Sequence, residues 1–95
     1  DGKVAVLDAF YDESEHSEAI YAKLVNCEGF NEIEAQVLMA ASEEAAERGV
    51  EVARWEFVHR KYYADGFSDI YEGVIENEDE VEEGEVCKFT VEVRC

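Results

Sequence analysis

The sequence predicts an α+β domain in which one amphipathic helix packs on one face of an antiparallel sheet, in the order β-β-α-β-β-β. One segment repeats apolar residues every four positions, and short segments rich in β-branched and aromatic residues lie on both sides of it. Turn residues, mostly glycines, separate these segments. With 95 residues the chain can form one modest core, so we predict a single domain over residues 1–95.

The first two elements are predicted to form a hairpin. Residues 3–11 (KVAVLDAFY) are apolar and aromatic, and a polar run over residues 12–18 follows them as a turn. Residues 19–27 fit either a second strand or a short helix. The spacing of Asp12 and Glu15 imitates a helix-capping pair, whereas the break at Gly29 and the strand available for pairing favour a hairpin. We prefer the strand.

The clearest element is an amphipathic helix of about five turns. Asn31 is predicted to open it with Glu34 as its capping partner, and Gly49 lies just past its end. The buried stripe is predicted to contain Ile33, Val37, Ala41 and Ala45. The row predicted to face water contains Glu32, Gln36, Met39, Glu43 and Glu47.

Three strands joined as a meander are predicted after the helix, over residues 50–63, 67–76 and 86–95. The first carries bulky apolar side chains on both faces, which predicts a central strand or one whose second face meets a partner. Gly73 in the second strand is a candidate β-bulge. The third alternates cleanly. One of its faces holds Cys87, Phe89, Val91, Val93 and Cys95, and the other holds Lys88, Thr90, Glu92 and Arg94.

Charge is the one clue to function. The chain has 25 acidic and 8 basic residues, a formal net charge of −17. Such a surface repels nucleic-acid phosphates and anionic lipid and attracts basic protein surfaces, so we expect neither direct nucleic-acid binding nor membrane binding. The local cations Arg54, Arg60 and Lys61 are expected to form internal salt bridges instead. With no long apolar run and no targeting segment, the chain is predicted to be cytoplasmic.

We therefore predict a non-enzymatic acidic binding protein that inhibits a partner by occupying its basic, nucleic-acid-binding surface. Carboxylates along a strand or helix can compete with phosphates for a groove lined with Arg and Lys, and Glu43 and Glu47 add two more one turn apart. Small phage-encoded antagonists of host defence or polymerase resemble this chain in charge and size. The predicted partner-binding residues are the ten acids Asp65, Asp69, Glu72, Glu76, Glu78, Asp79, Glu80, Glu82, Glu83 and Glu85.

Several alternatives stay open at this point. Acidity with only four lysines also fits solubility adaptation in a halophilic organism or virus, and clustered carboxylates also fit a weak cation-binding module, although residues 77–85 lack the EF-hand ligand order. An enzyme would need His16 or His59 to converge with a carboxylate or a cysteine. We predict no catalytic residues, no metal ligands and no cofactor. Self-association as a homodimer, with Trp55 or Tyr62 at the interface, is a further alternative.

The odd number and the spacing of the three cysteines predict neither a disulfide framework nor a zinc site. Cys87 and Cys95 share one strand face but are about 27 Å apart along an extended chain, too far to bond. Cys27 could reach either of them. Free thiols that behave as small apolar side chains are the preferred interpretation.

Overall fold

The computed structural model describes residues 4–76 and 88–95. The α+β class and the predicted element order are confirmed. The elements are β1 (Val4–Asp12), β2 (Ser17–Leu24), α1 (Phe30–Glu47), β3 (Val52–Tyr63), β4 (Gly66–Ile75) and β5 (Lys88–Arg94). The segment that fitted either strand or helix is the strand β2.

The five strands form one sheet in the order β1-β2-β5-β4-β3. The hairpin β1–β2 and the meander β3–β4–β5 are antiparallel, as predicted. The pair β2–β5 is parallel, because α1 carries the chain from the end of β2 to the far edge of the sheet and the meander then returns to its middle. Consequently β3 is an edge strand among the described strands, so the central-strand alternative is wrong, and a partner on its second face stays a prediction.

Helix α1 begins two residues earlier than predicted, because its N-cap is Gly29 rather than Asn31. Gly29 has the left-handed conformation (φ 69°), and no side chain caps the helix. The capping role predicted for Glu34 is therefore wrong, since this side chain turns inward to Tyr71. At the other end Gly49 occupies the predicted position past the helix, also with positive φ. Its N–H and that of Val50 donate to the last free carbonyls, an arrangement that ends many helices.

The core lies between α1 and the middle strands of the sheet. The predicted helix stripe is buried against apolar residues of β2 and β5, which are Ile20, Ala22, Leu24, Phe89, Val91 and Val93. Trp55 closes one side of the core and donates from Nε1 to Ser42 Oγ at 2.8 Å. Its indole lies against Gly73, where a Cβ would come within 3.0 Å of the ring. Gly73 is thus a close-packing position, and the register shifts lie in β3 rather than at this glycine.

A disulfide joins Cys27 to Cys95, with a Cα–Cα distance of 5.1 Å. The preference for free thiols is therefore wrong for these two residues. The parallel pairing of β2 with β5 explains the bond, since it sets Lys23 opposite Arg94 and so brings both strand ends together. That pairing is a tertiary feature, which local spacing does not reveal. Cys87 lies outside the described residues.

Candidate functional site

The sheet face that points away from α1 holds most of the described basic side chains. Strand register places Lys23, Arg94 and Lys61 in one row across β2, β5, β4 and β3, with Ser68 between the last two. Arg54 and Lys88 lie on the same face by strand alternation. We call this surface the open sheet face. Acids are interleaved with these cations. Arg54 pairs with Glu56 at 3.2 Å, and Ser68 donates to Glu92 at 2.8 Å.

The other two described cations lie on the helix side, and each is held by a buried acid. Arg48 Nε lies 2.7 Å from Oε1 of Glu18, whose side chain is 1% exposed. Arg60 binds Asp69 through two nitrogens, at 2.6 and 3.1 Å, and its guanidinium lies over the ring of Phe67. The predicted internal pairing is confirmed for Arg54 and Arg60. Both helix-side cations therefore form salt bridges with buried acids of the same chain.

The charged residues on the outward face of α1 are all acidic. As predicted, Glu32, Glu43 and Glu47 are exposed there together with Gln36 and Met39. We call these three glutamates the acidic helix row. Within the described ranges no Lys or Arg lies within salt-bridge distance of them. Glu47 is in the last helical turn, which contains no basic residue. An anion there is disfavoured by the partial negative charge of the helix C-terminus.

The C-terminal end of the acidic helix row lies at the same end of the molecule as the end of β4. The chain passes from Glu47 through Gly49 to β3, and the backbone N–H of Glu76 donates to the carbonyl of Glu51 at 2.7 Å. Glu76, the last described residue before the gap at residues 77–87, therefore lies at the same end of the molecule as the C-terminus of α1.

The predicted partner-binding acids do not form one described patch. Asp65 and Glu76 flank β4 at opposite ends, about 35 Å apart at the rise of a strand. Asp65 binds Arg94 at 2.6 Å, and Glu72 lies on the open sheet face opposite Glu56. Asp69 is only 4% exposed and bound to Arg60, so we leave it out of the proposed contact surface. The other six, Glu78, Asp79, Glu80, Glu82, Glu83 and Glu85, lie outside the described residues.

A buried cluster beneath α1 joins two carboxyls. Tyr71 Oη donates to Glu34 Oε1 at 2.5 Å, with Asp69 and its partner Arg60 beside them. Burial raises the pKa of Glu34 to about 6, against the hydrogen bond from Tyr71 and with help from the Asp69 charge. Burial acts to raise the pKa of Asp69 too, but the hydrogen bonds from Arg60 and Glu34 together with the Arg60 charge hold that pKa below its usual value. Sequence reasoning missed this cluster, since Glu34 matched a capping pattern.

The two histidines do not share a site. His16 lies in the β1–β2 turn with a positive φ of 51°, whereas His59 is exposed on β3. Strands β2 and β3 are three strand spacings apart, about 14 Å. Within residues 4–76 and 88–95, no three His, Cys, Asp or Glu side chains are grouped to hold a metal ion.

Among the described residues, no helix combines the length and apolar character needed to cross a membrane. Comparisons of the chain with protein-family models, with curated proteins and with solved structures find no match.

Proposed function

We propose that this chain is a non-enzymatic acidic binding protein that inhibits a partner by occupying its basic, nucleic-acid-binding surface in place of nucleic acid. The observation that carries the proposal is the separation of charge. Described cations lie on the open sheet face or are bound by buried acids on the helix side, whereas no salt bridge among the described residues involves the acidic helix row. The proposed contact surface contains this row, Glu76 and the acids from Glu78 to Glu85.

The electrostatics of α1 also support the proposed contact surface. Glu43 and Glu47 are one turn apart, a like-charge spacing that destabilises a helix by about 0.2–0.5 kcal/mol. Glu47 also lies near the negative end of the helix dipole, at a cost of about 0.3–1 kcal/mol. Positions that violate local stability rules are often those kept for binding. We infer that this pair of glutamates contributes to recognition rather than to folding.

The experiment compares two double variants that remove equal charge. Glu43→Gln with Glu47→Gln changes the proposed surface, and Glu13→Gln with Glu15→Gln changes two exposed acids in the β1–β2 turn. The protein is titrated against purified DNA-binding proteins with basic grooves, each carrying a fluorescent duplex, and duplex release is measured. We expect salt-sensitive release by the native chain, weakened about tenfold by the helix variant and little by the turn variant.

Thermal melting of the same variants gives a second measurement, in which stability should change in the opposite direction to binding. The helix variant should be more stable than the native chain by about 1 kcal/mol while it binds more weakly. Two results would contradict the proposal. One is no duplex release by the native chain anywhere between about 50 and 200 mM salt. The other is an equal loss of duplex release in both double variants. Acidity that serves only halophilic solubility predicts no release and a fold that needs high salt.

The disulfide bears on where this binding would occur. Disulfides persist in oxidising compartments and are rare in the reducing cytosol, so the Cys27–Cys95 bond weighs against the predicted cytoplasmic location. Location stays a prediction. The binding experiment is therefore performed on the oxidised and on the reduced protein, and the form that binds indicates the compartment in which to search for the partner.

A further inference from the structure

The two edges of the sheet differ in how they are protected against pairing with another strand. Edge strands are commonly protected by charged side chains, Lys especially, and by prolines or bulges. Strand β3 has register shifts at two places and carries Arg54, His59, Arg60 and Lys61. Strand β1 contains no Lys, Arg or Pro over its nine residues, and its one register shift lies at its start. Its only charged residues are Asp8 and Asp12, so among the described strands β1 is the less protected edge.

Strand β1 also exposes large apolar side chains on both faces. Leu7 is 53% exposed and Phe10 is 58% exposed, with Val6 and Tyr11 at 38% and 45%. Helix α1 contacts β2, β3 and β5 and leaves the outer strand β1 largely uncovered. An edge strand of this kind offers free backbone groups along its length to an added strand.

Two cavities lie along β1 on its helix side. One, of about 210 Å³, lies between Leu7 and Ala9 of β1 and Ala40 and Glu44 of α1. The other, of about 310 Å³, lies between Val4 and Leu7 of β1 and Gln36 of α1. Alternate side chains of an added strand are about 7 Å apart and point to the same face. Apolar side chains at every second position would therefore point toward these cavities.

On the opposite face β1 carries Asp8 and Asp12 together with the apolar Val6 and Phe10, and Lys23 of β2 lies opposite Val6. Register places Asp8 opposite Tyr21 and Asp12 opposite Ser17, both on the open sheet face. These carboxylates are about 14 Å apart at the rise of a strand, four residues along the chain. Lys or Arg at every second position of an added strand would lie beside them, on the face opposite the apolar side chains. Cavities of about 350 and 530 Å³ beside Phe10 also lie on this face, so the two Asp side chains, rather than the cavities, favour basic residues here.

We propose that the β1 edge binds an extended segment of a partner protein as a sixth, antiparallel strand, with basic residues on the open sheet face and apolar residues facing α1. This surface is distinct from the acidic helix row, and the proposal stands whether or not the protein displaces nucleic acid.

The probe is a fluorescein-labelled peptide with the sequence KVKVKVKVK, measured by fluorescence anisotropy with the full chain. A basic peptide is attracted to this protein in any case, so backbone-methylated peptides separate strand addition from general attraction. One carries N-methyl groups on its valines and the other on its lysines. Since an added strand pairs through alternate residues only, we expect one methylated peptide to lose at least tenfold in affinity and the other to stay within twofold of the parent.

Matched protein variants locate the binding edge. Leu7→Lys adds a protecting cation to β1, and Tyr62→Lys adds the same charge to an exposed position of β3. Circular dichroism first shows that both variants are folded. We expect Leu7→Lys to weaken parent-peptide binding at least fivefold and Tyr62→Lys to leave it unchanged.

Three results would overturn the proposal. Equal affinity of both methylated peptides would mean that charge alone attracts the peptide. Equal effects of the two lysine variants would place binding elsewhere. A chain that sediments as a dimer and becomes monomeric on Leu7→Lys would assign the β1 edge to a second copy of the protein instead.

Discussion

Removal of the Cys27–Cys95 disulfide should destabilise this domain more than any other pair of conservative substitutions. The bond connects residues 68 positions apart. In the chain-entropy description, releasing a loop of that length increases the freedom of the unfolded chain by an amount equivalent to about 4 kcal/mol at 25 °C. A domain of this size has a total stability of about 5–14 kcal/mol, so the bond supplies a large part of it.

The assay is thermal unfolding of the oxidised native chain beside a variant with Cys27→Ser and Cys95→Ser. Cys27 is exposed and Cys95 half-buried, so serine adds little direct cost at either position. For a domain of this length each 1 kcal/mol shifts Tm by about 4–8 °C, and we expect a decrease of about 20 °C. Reduction of the native chain with dithiothreitol should lower Tm by a similar amount.

Cys87→Ser is the matched control, because it removes the third thiol and keeps the bond. Its Tm should match that of the native chain. The reasoning fails if the double variant melts within about 5 °C of the oxidised native protein, or if peptide mapping finds Cys87 in the disulfide. Either result would mean that the ends of β2 and β5 are not held together as the parallel pairing requires.

Three further perturbations probe buried charges and one close contact. Ionising Glu34 in the folded protein is disfavoured because its pKa is raised from 4.5 to about 6, so stability should be lost between about pH 4.5 and 6 as pH rises. The variant Glu34→Gln should not show that loss. In urea titrations its free energy of unfolding should exceed that of the native chain by up to about 2 kcal/mol at pH 7 and equal it at pH 4. Equal gains in stability at both pH values would contradict this. Arg48→Met should lower the free energy of unfolding by about 3 kcal/mol, because it leaves Glu18 buried without its cation. The double variant that also carries Glu18→Gln should regain most of this stability in the same titrations. An unchanged midpoint for Arg48→Met would rule out the pairing. Gly66→Ala would place a Cβ 2.7 Å from the carbonyl oxygen of Cys95 and should cost about 1–3 kcal/mol by thermal unfolding; an unaltered Tm would show that the strand end moves away freely.

Local periodicity in the sequence predicts the elements and their buried faces. Ile33, Val37, Ala41 and Ala45 repeat at helical spacing, and Phe89, Val91 and Val93 alternate as a strand requires; all seven are buried as predicted. The acidic helix row is visible in the same pattern. These features depend on residues two to four positions apart, so the chemistry of each side chain and its spacing are enough to predict them.

Contacts between residues far apart in sequence are decided by the tertiary structure alone. The parallel pair β2–β5, the edge position of β3 and the Cys27–Cys95 bond all depend on which strands pair, and several pairings satisfy the same alternating patterns. The hydrogen bond between Glu34 and Tyr71 likewise joins residues far apart in sequence. The local spacing of Glu34 fits a helix cap equally well, so the sequence does not reveal this contact. The sequence by itself determines that this is a strongly acidic α+β domain with one amphipathic helix. Only the packed sheet places most of the described cations on the open sheet face and leaves β1 as an edge strand with no Lys, Arg or Pro, because both features arise from strand order and pairing.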